Sequence, residues 1–435
     1  MDISLINNKQ KEYIFQCVTN YYSTPLPLKR GEGLYVYDFE EKKYLDFFGG
    51  ILTVSIGHCQ PEILEEIEDQ IRTLQHCPTL YPNYPMVMLA EKLAQITPGR
   101  LKKSFFTNSG TEANETAIIT AQLHTGVKEI IALRHSYHGR SILASNLTGH
   151  AIWRAAAGTT IPGITHAVSP YCFRCAFGLT YPSCDVRCAR DIEELIKTTT
   201  SGEIAAFIAE PIQGVGGFIT PPKEYFQVVV EIVRKYGGLF ISDEVQTGFG
   251  RTGTKWFGIE HWGVEPDMMT FAKGLANGAP IGATIASPEV ADSFKASSIS
   301  TFGGNPVSMR AGIATINYME KHNLPEHVEK VGNYLKDKLL ELQDKYPLIG
   351  EVRGMGLILG MELVKEKKEP ATNEILQLFE NTKKRGLLIG KGGLYGNVVR
   401  ITPPMTVEKS AIDEAVRILD HAFEEIGEGT VGKIF

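Results

Sequence analysis

A series of short, largely apolar stretches, each stopped by a polar turn, constrains the fold of this chain more than any other feature. The stretches at 104–107, 130–133, 204–209, 239–242 and 268–272 are too short for core helices. They read as strands buried on both faces. Helical segments lie between them, among them 111–124 and about 224–236. Strand and helix alternating in this order predict an α/β fold with a mostly parallel sheet covered by helices. Such sheets collect their ligand chemistry beyond the C-terminal ends of the strands. The residues that stop each strand are therefore the ones to read.

Around this core the pattern changes. Gly33-Leu-Tyr-Val-Tyr-Asp alternates as one strand of a β-hairpin, and Pro61 opens a helix with Ile63, Ile67, Ile71 and Leu74 on one face. Beyond about residue 310 come long amphipathic helices with strands at 356–363 and 398–401. A chain of 435 residues exceeds one ordinary core. The expected division is a large domain (51–310) and a smaller α+β domain (311–435), with an N-terminal segment (1–50) packing on the latter.

Net charge is −6 with both signs interspersed, which excludes a basic footprint for nucleic acid. No apolar run approaches the roughly 18 residues of a membrane span. The first residues lack a signal-peptide profile, and seven cysteines are too few for a secreted disulfide scaffold of this length. The expectation is a cytoplasmic enzyme acting on small molecules.

Two strand ends carry the most telling groups. Asp243 ends the run Gly238-Leu-Phe-Ile-Ser-Asp, and Lys273 ends Met268-Met-Thr-Phe-Ala-Lys, thirty positions later. Taken singly, a lysine there is commonly a snorkelling surface residue and an aspartate a loop cap. As a pair they suit pyridoxal phosphate (PLP), which needs a lysine to hold its aldehyde as a Schiff base and an acid for its ring nitrogen.

Other strand ends supply the rest of such a site. In Ser104-Phe-Phe-Thr-Asn-Ser-Gly-Thr-Glu-Ala-Asn, residues Ser109, Gly110 and Thr111 would meet a phosphate at a helix N-terminus. An ordinary N-cap is the competing reading there. Tyr137, in Arg134-His-Ser-Tyr-His-Gly-Arg, offers an aromatic face to a planar ring, with His138 beside it. By itself it would read as a packed surface aromatic. Glu210 opens Glu210-Pro-Ile-Gln-Gly-Val-Gly-Gly and would contact substrate or an arginine, where a lone glutamate would be solvated.

Together these stretches resemble the class III aminotransferases, the ω-aminotransferase group of the fold-type I PLP-dependent transferases. The likeness runs through Tyr44-Leu-Asp-Phe-Phe-Gly-Gly, Asn108-Ser-Gly-Thr-Glu-Ala-Asn, Tyr137-His-Gly and Glu210-Pro-Ile-Gln-Gly. It continues in Asp243-Glu-Val-Gln-Thr-Gly-Phe-Gly-Arg, Lys273-Gly-Leu-Ala-Asn-Gly, Thr301-Phe-Gly-Gly-Asn-Pro and Val352-Arg-Gly-Met-Gly. Within the group the chain is most similar to the alanine–glyoxylate aminotransferase 2 type.

The resemblance implies catalytic roles for Lys273, as the Schiff-base lysine and proton carrier, and for Asp243, as partner of the ring nitrogen. It implies that Val245 packs on the ring opposite Tyr137, that Gln246 reaches the phenolic oxygen, and that Gly110 and Thr111 bind the phosphate. Thr301 would reach the phosphate of a neighbouring subunit, which implies a homodimer and leaves a tetramer open. Arg400 would bind the substrate carboxylate, Glu210 would pair with Arg400 when the substrate lacks one, and Ile51 would stand on the substrate side. The implied activity is ping-pong amino transfer from an ω-amino acid or alanine-like donor to pyruvate or glyoxylate. The alternative is transfer from 4-aminobutyrate or a related ω-amino acid to 2-oxoglutarate. A lyase or racemase of the same fold is more distant. A nucleotide-binding dehydrogenase is disfavoured, because no G-x-G-x-x-G opens a helix after the first strand.

One segment is left over. Cys172, Cys175, Cys184 and Cys188 form a C-x2-C-x8-C-x3-C pattern. Four thiolates could hold a tetrahedral zinc, but the spacing between pairs is short for a zinc ribbon. Reduced loop cysteines without a metal are the expected reading.

Overall fold

The computed structural model describes residues 3–154 and 160–431, so the outermost residues of the expected terminal segments, and 155–159 of the large domain, lie outside the described residues. At the centre is a seven-stranded sheet in the order Lys103–Thr107, Gly282–Ala286, Met268–Phe271, Leu239–Asp243, Ala206–Ala209, Ile130–Leu133, Ile164–Ala167. Gly282–Ala286 runs antiparallel to both its neighbours, and every other pairing is parallel. The strands Ile130–Leu133, Ala206–Ala209 and Met268–Phe271 are buried at every position, as strands covered on both faces must be.

All five strands expected from the apolar runs are present. Gly282–Ala286 was not anticipated, because a glycine and two alanines leave only the Thr-Ile pair as a strand signal in Gly-Ala-Thr-Ile-Ala. Ile164–Ala167 is a partly exposed edge strand of the same unremarkable composition.

The helices Gly110–Thr125 and Tyr225–Lys235 lie where periodicity placed them. The helix Pro61–Thr73 also begins at its proline, but only half of its apolar face is covered. Ile63 is buried and Ile67 packs on the core, while Ile71 and Leu74 are 47% and 43% exposed. Exposed Leu80, Tyr81, Tyr84 and Val87 follow in the chain, so the uncovered end opens a larger apolar surface.

Two smaller sheets flank the large one. Leu28–Glu32, Tyr35–Asp38 and Lys43–Asp46 form a meander onto which Leu387–Leu388 adds in parallel. Leu45 N–H donates to Gly386 O at 2.8 Å and Phe47 N–H to Leu388 O at 2.9 Å, which seals the N-terminal hairpin to the C-terminal part. The strands Ile349–Met355, Ile358–Leu363, Val398–Ile401 and Gly390–Gly392 make an antiparallel sheet. Beyond Arg400 the chain is tied down by Thr402 N–H to Phe47 O (2.7 Å) and Met405 N–H to Ser55 O (2.6 Å). Arg251, fully buried in the loop after Leu239–Asp243, adds bonds to Pro403 O (2.5 Å) and Ser55 Oγ (3.3 Å).

Candidate active site

The strand Leu239–Asp243 and the residue after it carry two adjacent acids, and successive side chains of an extended chain point to opposite sides. Asp243 lines a cleft, and Glu244 does not. Glu244 is instead held by the Thr247 hydroxyl (2.5 Å) and by the N–H groups of Gly258 (2.9 Å) and Ile259 (2.8 Å). Burial pushes its carboxyl up to about 7.

Asp243 is 2% exposed and replaces water with protein partners. Its Oδ2 accepts from the Asn114 amide at 2.8 Å and meets His138 Nδ1 at 2.7 Å, while Oδ1 accepts from Val245 N–H at 3.1 Å. Asn114 also donates to His138 O (2.8 Å) and accepts from the Thr270 hydroxyl (2.7 Å). A buried acid is tolerable only when bonded in this way, and the same bonds fix its direction.

The cleft is open to solvent on one side and has a cavity volume of about 160 Å³. Strand ends bring Tyr137, His138, Glu210, Asp243 and Lys273 to it, and the adjoining loops add Val245 and Gln246. Gly110 and Thr111 line it from the first turn of Gly110–Thr125. A Cβ on Gly110 would stand 2.9 Å from Val245 Cγ2, so only bare backbone lets this helix N-terminus close on the cleft. Ser109 is the N-cap, its hydroxyl accepting from Glu112 N–H at 3.3 Å, and its side chain is not part of the lining.

Lys273 follows Met268–Phe271 with a left-handed backbone, φ +44°, an uncommon state for a residue with a side chain. It keeps partial contact with solvent. Burial, and then the positive charge of Arg400, push its ammonium down to about 8 against the opposing pull of Asp243 and Glu210.

Glu210 is buried, with its two oxygens accepting from Tyr137 N–H (2.9 Å) and Gly214 N–H (2.8 Å). Burial raises its carboxyl to about 7, with His138 opposing. No hydrogen bond or ion pair joins Glu210 to Arg400 among the described residues, although its charge acts on the guanidinium. Arg400 Nη2 donates instead to Gln246 Oε1 at 2.6 Å. Its guanidinium lies 4.7 Å from the Phe218 ring centre and 5.3 Å from that of Phe48, and burial lowers its pKa to about 10.

Besides Ser109 and Arg400, two expected residues stand outside the lining. Ile51 is 46% exposed in a turn with φ +64°. Thr301 is exposed in a segment joined to residues 75–83 by Ser300 N–H to Thr79 Oγ1 (3.0 Å), Asn83 Nδ2 to Gly304 O (3.0 Å) and Asn305 Nδ2 to Gln75 O (3.1 Å).

Four contributors escaped sequence reasoning. Asn114 was visible only as the last letter of a motif. Phe48 was legible within Tyr44-Leu-Asp-Phe-Phe-Gly-Gly but could not be ordered around a substrate, and Phe218 and Trp153 (whose ring meets that of Tyr137 edge-on at 5.8 Å) gave no signal in sequence, because their neighbours are remote in the chain.

The four loop cysteines are free and line a separate small cavity. Burial pushes Cys172 up to about 11 and Cys188 up to about 12, with neighbouring thiols adding to it. Among the described residues no group of three or more His, Cys, Asp or Glu is placed to hold a metal ion, so the four-thiolate site considered from spacing is not formed.

The main cleft fits PLP: its lining has a helix N-terminus packed too closely on Val245 for a Cβ at Gly110, an aromatic ring in Tyr137, a buried and already bonded carboxylate in Asp243, and an amine of lowered pKa in Lys273.

Comparison with known proteins agrees. The family model described as Aminotransferase class-III matches residues 18–423. The chain is 43% identical, over 97% of its length and 88% of the relative's, to alanine–glyoxylate aminotransferase 2 homolog 2, mitochondrial, of Arabidopsis thaliana. It is 37% identical, over 96% and 95% of the two chains, to a leucine/methionine racemase of Thermococcus litoralis. A solved (S)-enantioselective omega-transaminase from Thermomicrobium roseum superposes with a TM-score of 0.91 at 34% identity, covering 98% of this chain and 99% of that one. With family model, relatives and cleft in agreement, the chain belongs to the class III aminotransferases and is a PLP-dependent transaminase of the fold-type I architecture.

Proposed function

We propose that the enzyme moves an amino group from an ω-amino acid or alanine-like donor to pyruvate or glyoxylate in the two half-reactions of a ping-pong cycle. The observation that carries this is the supply of cations. Among the described lining residues Lys273 is the one cation, and Arg400 stands behind Gln246. With Lys273 committed to the cofactor, one arginine remains for one carboxylate. Pyruvate and glyoxylate carry one, whereas 2-oxoglutarate carries two. The name of the Arabidopsis relative, which pairs alanine with glyoxylate, points the same way.

PLP supplies a ring into which the electrons of a broken Cα–H bond can spread. Asp243, oriented by His138 and Asn114, holds a proton on the ring nitrogen. Gly110 N–H and Thr111 hold the phosphate at the helix N-terminus. Tyr137 and Val245 take the two ring faces, and Gln246 reaches the phenolic oxygen. Lys273 would hold the cofactor's aldehyde and, with its amine free, would carry the proton between Cα of the donor and C4′. Its lowered pKa leaves enough free base near neutrality for this work. Arg400 grips the carboxylate through its fork of N–H donors.

A homodimer completes this reading, with Thr301 reaching the partner's phosphate and Ile51 on the substrate side. Exposed Phe302, Leu80, Tyr81 and Tyr84 on the joined segments give the apolar surface that such an interface needs. No helix among the described residues is long and apolar enough to cross a membrane. Seven unbridged cysteines support the cytoplasm as the compartment.

The test is an absorbance titration of the purified enzyme with L-alanine, β-alanine and 4-aminobutyrate, followed by pyruvate, glyoxylate or 2-oxoglutarate. The reading expects the long-wavelength band of the lysine-bound cofactor to fade with a donor and return with pyruvate or glyoxylate. Recovery with 2-oxoglutarate alone would overturn it.

A further inference from the structure

We infer that the segment 171–188 is a site of thiol–disulfide exchange, at which Cys172 takes up a small acidic disulfide from solution and Cys184 resolves the adduct into an internal bridge.

The placement of four thiols carries this. Cys172, Cys175, Cys184 and Cys188 are all free, and all line one closed cavity of about 20 Å³, room for little more than a water molecule. Cys172 and Cys175 also line an open groove of about 790 Å³, whereas Cys184 and Cys188 do not. An outer pair reachable from solvent thus meets an inner pair at the small cavity. Cys172 is the exposed member of the set. It is also the hub, since the charge of Cys184 acts on it, then that of Cys175, and it is the thiol that acts most on Cys188.

The groove selects the charge of what enters. Arg174, Lys367 and Lys368 line it against one acid, Glu351. A disulfide that bears carboxylates is drawn to such a wall, and a cationic one is not.

The two ends of the segment belong to different parts of the fold. The turn Cys172–Arg174 is held to the strand Ile358–Leu363 by bonds from Tyr171 Oη and Arg174 Nε to Glu362. Lys368 Nζ adds a bond to Phe173 O at 2.9 Å. Cys184 leads instead into the helix Arg187–Thr199, which packs on the large sheet at Ile164–Ala167. Between Cys184 and that helix, Asp185 and Val186 are both left-handed at φ +48°, a costly state for a β-branched residue. A shift of this link on oxidation therefore has strain to release. The bridge would tie a turn held by the small sheet to a helix of the large one.

The exchange balances with the incoming disulfide as oxidant. The Cys172 thiolate attacks one of its sulfurs and breaks its S–S bond; the departing small thiolate takes up the proton that Cys172 gave up. The Cys184 thiolate then attacks the Cys172 sulfur and expels the second small thiolate, which takes up the proton of Cys184. Two cysteine thiols are oxidised by two electrons, and one small disulfide is reduced to two thiols. Burial, and then the neighbouring thiols, push Cys172 up to about 11. Little thiolate is present at neutral pH, so the site answers sustained oxidation and not a brief pulse.

The test incubates the cofactor-loaded, full-length enzyme with oxidised glutathione, and maps disulfides in non-reduced peptides by mass spectrometry. A Cys172–Cys184 bridge is expected, with no glutathione retained on the segment. Exposed Cys17 and Cys59 should keep theirs. Cys184→Ser is expected to leave glutathione on Cys172, and Cys172→Ser to leave the segment unmodified. Cystamine, a cationic disulfide, should react about 10-fold more slowly at low ionic strength, and the gap should shrink in about 1 M salt. Persistent glutathione on Cys172 of the parent would overturn the role of Cys184. A bridge that forms as fast in Cys172→Ser would overturn the role of Cys172. A segment still fully reduced after Cys59 is modified, or equal rates with the two disulfides at low salt, would overturn the site itself or its preference for acidic partners.

Discussion

The two ends of the cleft are built in opposite ways. At the cofactor end, Asp243 and Lys273 stand at or just beyond the ends of neighbouring parallel strands of one sheet. The acid has three protein bonds, to His138, Asn114 and Val245 N–H, which leave Oδ1 with room for one more. At the other end, Gln246, in the loop after Leu239–Asp243, and Arg400, on the strand Val398–Ile401 of another sheet, lie 154 residues apart. There the charge meets a neutral amide and two aromatic faces. One end is electrostatically complete, and the other keeps a cation available. A rigid, pre-bonded shell suits chemistry common to every substrate, while a cation paired only with a neutral amide suits a part of the substrate that varies.

The sharpest way to break this distinction is to ask whether each end acts on all substrates or on some. Lys273→Ala is expected to lower turnover by about 10⁴-fold for every donor, the upper range for a positioned base. Single-turnover absorbance would measure it. Asp243→Asn is expected to cost about 10²–10³-fold in kcat, again irrespective of donor, as loss of a preorganised electrostatic partner does. Arg400→Met is expected to raise KM for pyruvate by the equivalent of about 1.5–3 kcal/mol, with a much smaller change for amines lacking a carboxylate. Equal losses on both substrate kinds in a steady-state comparison would dissolve the division.

A smaller effect sharpens the picture in the cofactor-free protein. Lys273 has its ammonium lowered from the ordinary 10.5 to about 8 in the folded chain. Between those two values the unfolded chain binds more protons, so this group's contribution to stability rises with pH there and is unfavourable below about 8. Lys273→Met, cofactor-free, is therefore expected to exceed the parent in stability at pH 7 by on the order of 1–3 kcal/mol, allowing for the residue's partial solvent contact. The gap should close above about pH 10. Thermal melts across that range would check it. A constant gap would mean that packing, and not the buried charge, sets the difference.

The legibility of the molecule in its sequence follows the same division. The strands at the cofactor end announce themselves, because a segment buried on both faces must be apolar throughout. Ile130–Leu133 is bounded as its composition predicts, and Asp243 and Lys273 stand out as charges that end such runs. Asn114 was hidden because a polar residue within a helix resembles any solvated one. Only its convergence with Asp243 and Thr270 reveals its purpose. The carboxylate end is less legible still. Nothing local to Phe48, Phe218 or Gln246 shows that all three converge on Arg400. The half-covered face of Pro61–Thr73 has a similar cause, since periodicity reports that a face is apolar and not what will cover it.

The left-handed backbone at Lys273 bears on how this enzyme could be repurposed. A side chain in that conformation carries a cost of about 1–2 kcal/mol that glycine avoids. Lys273→Gly would thus excise the amine while easing the main chain around it. What remains is a hollow of lysine dimensions beside an intact acid and phosphate cradle, open to small amines dissolved in the medium. The residue proposed as the enzyme's own base is thus one whose removal the backbone favours. That makes it the natural point at which to hand the proton transfer to a base chosen by the experimenter.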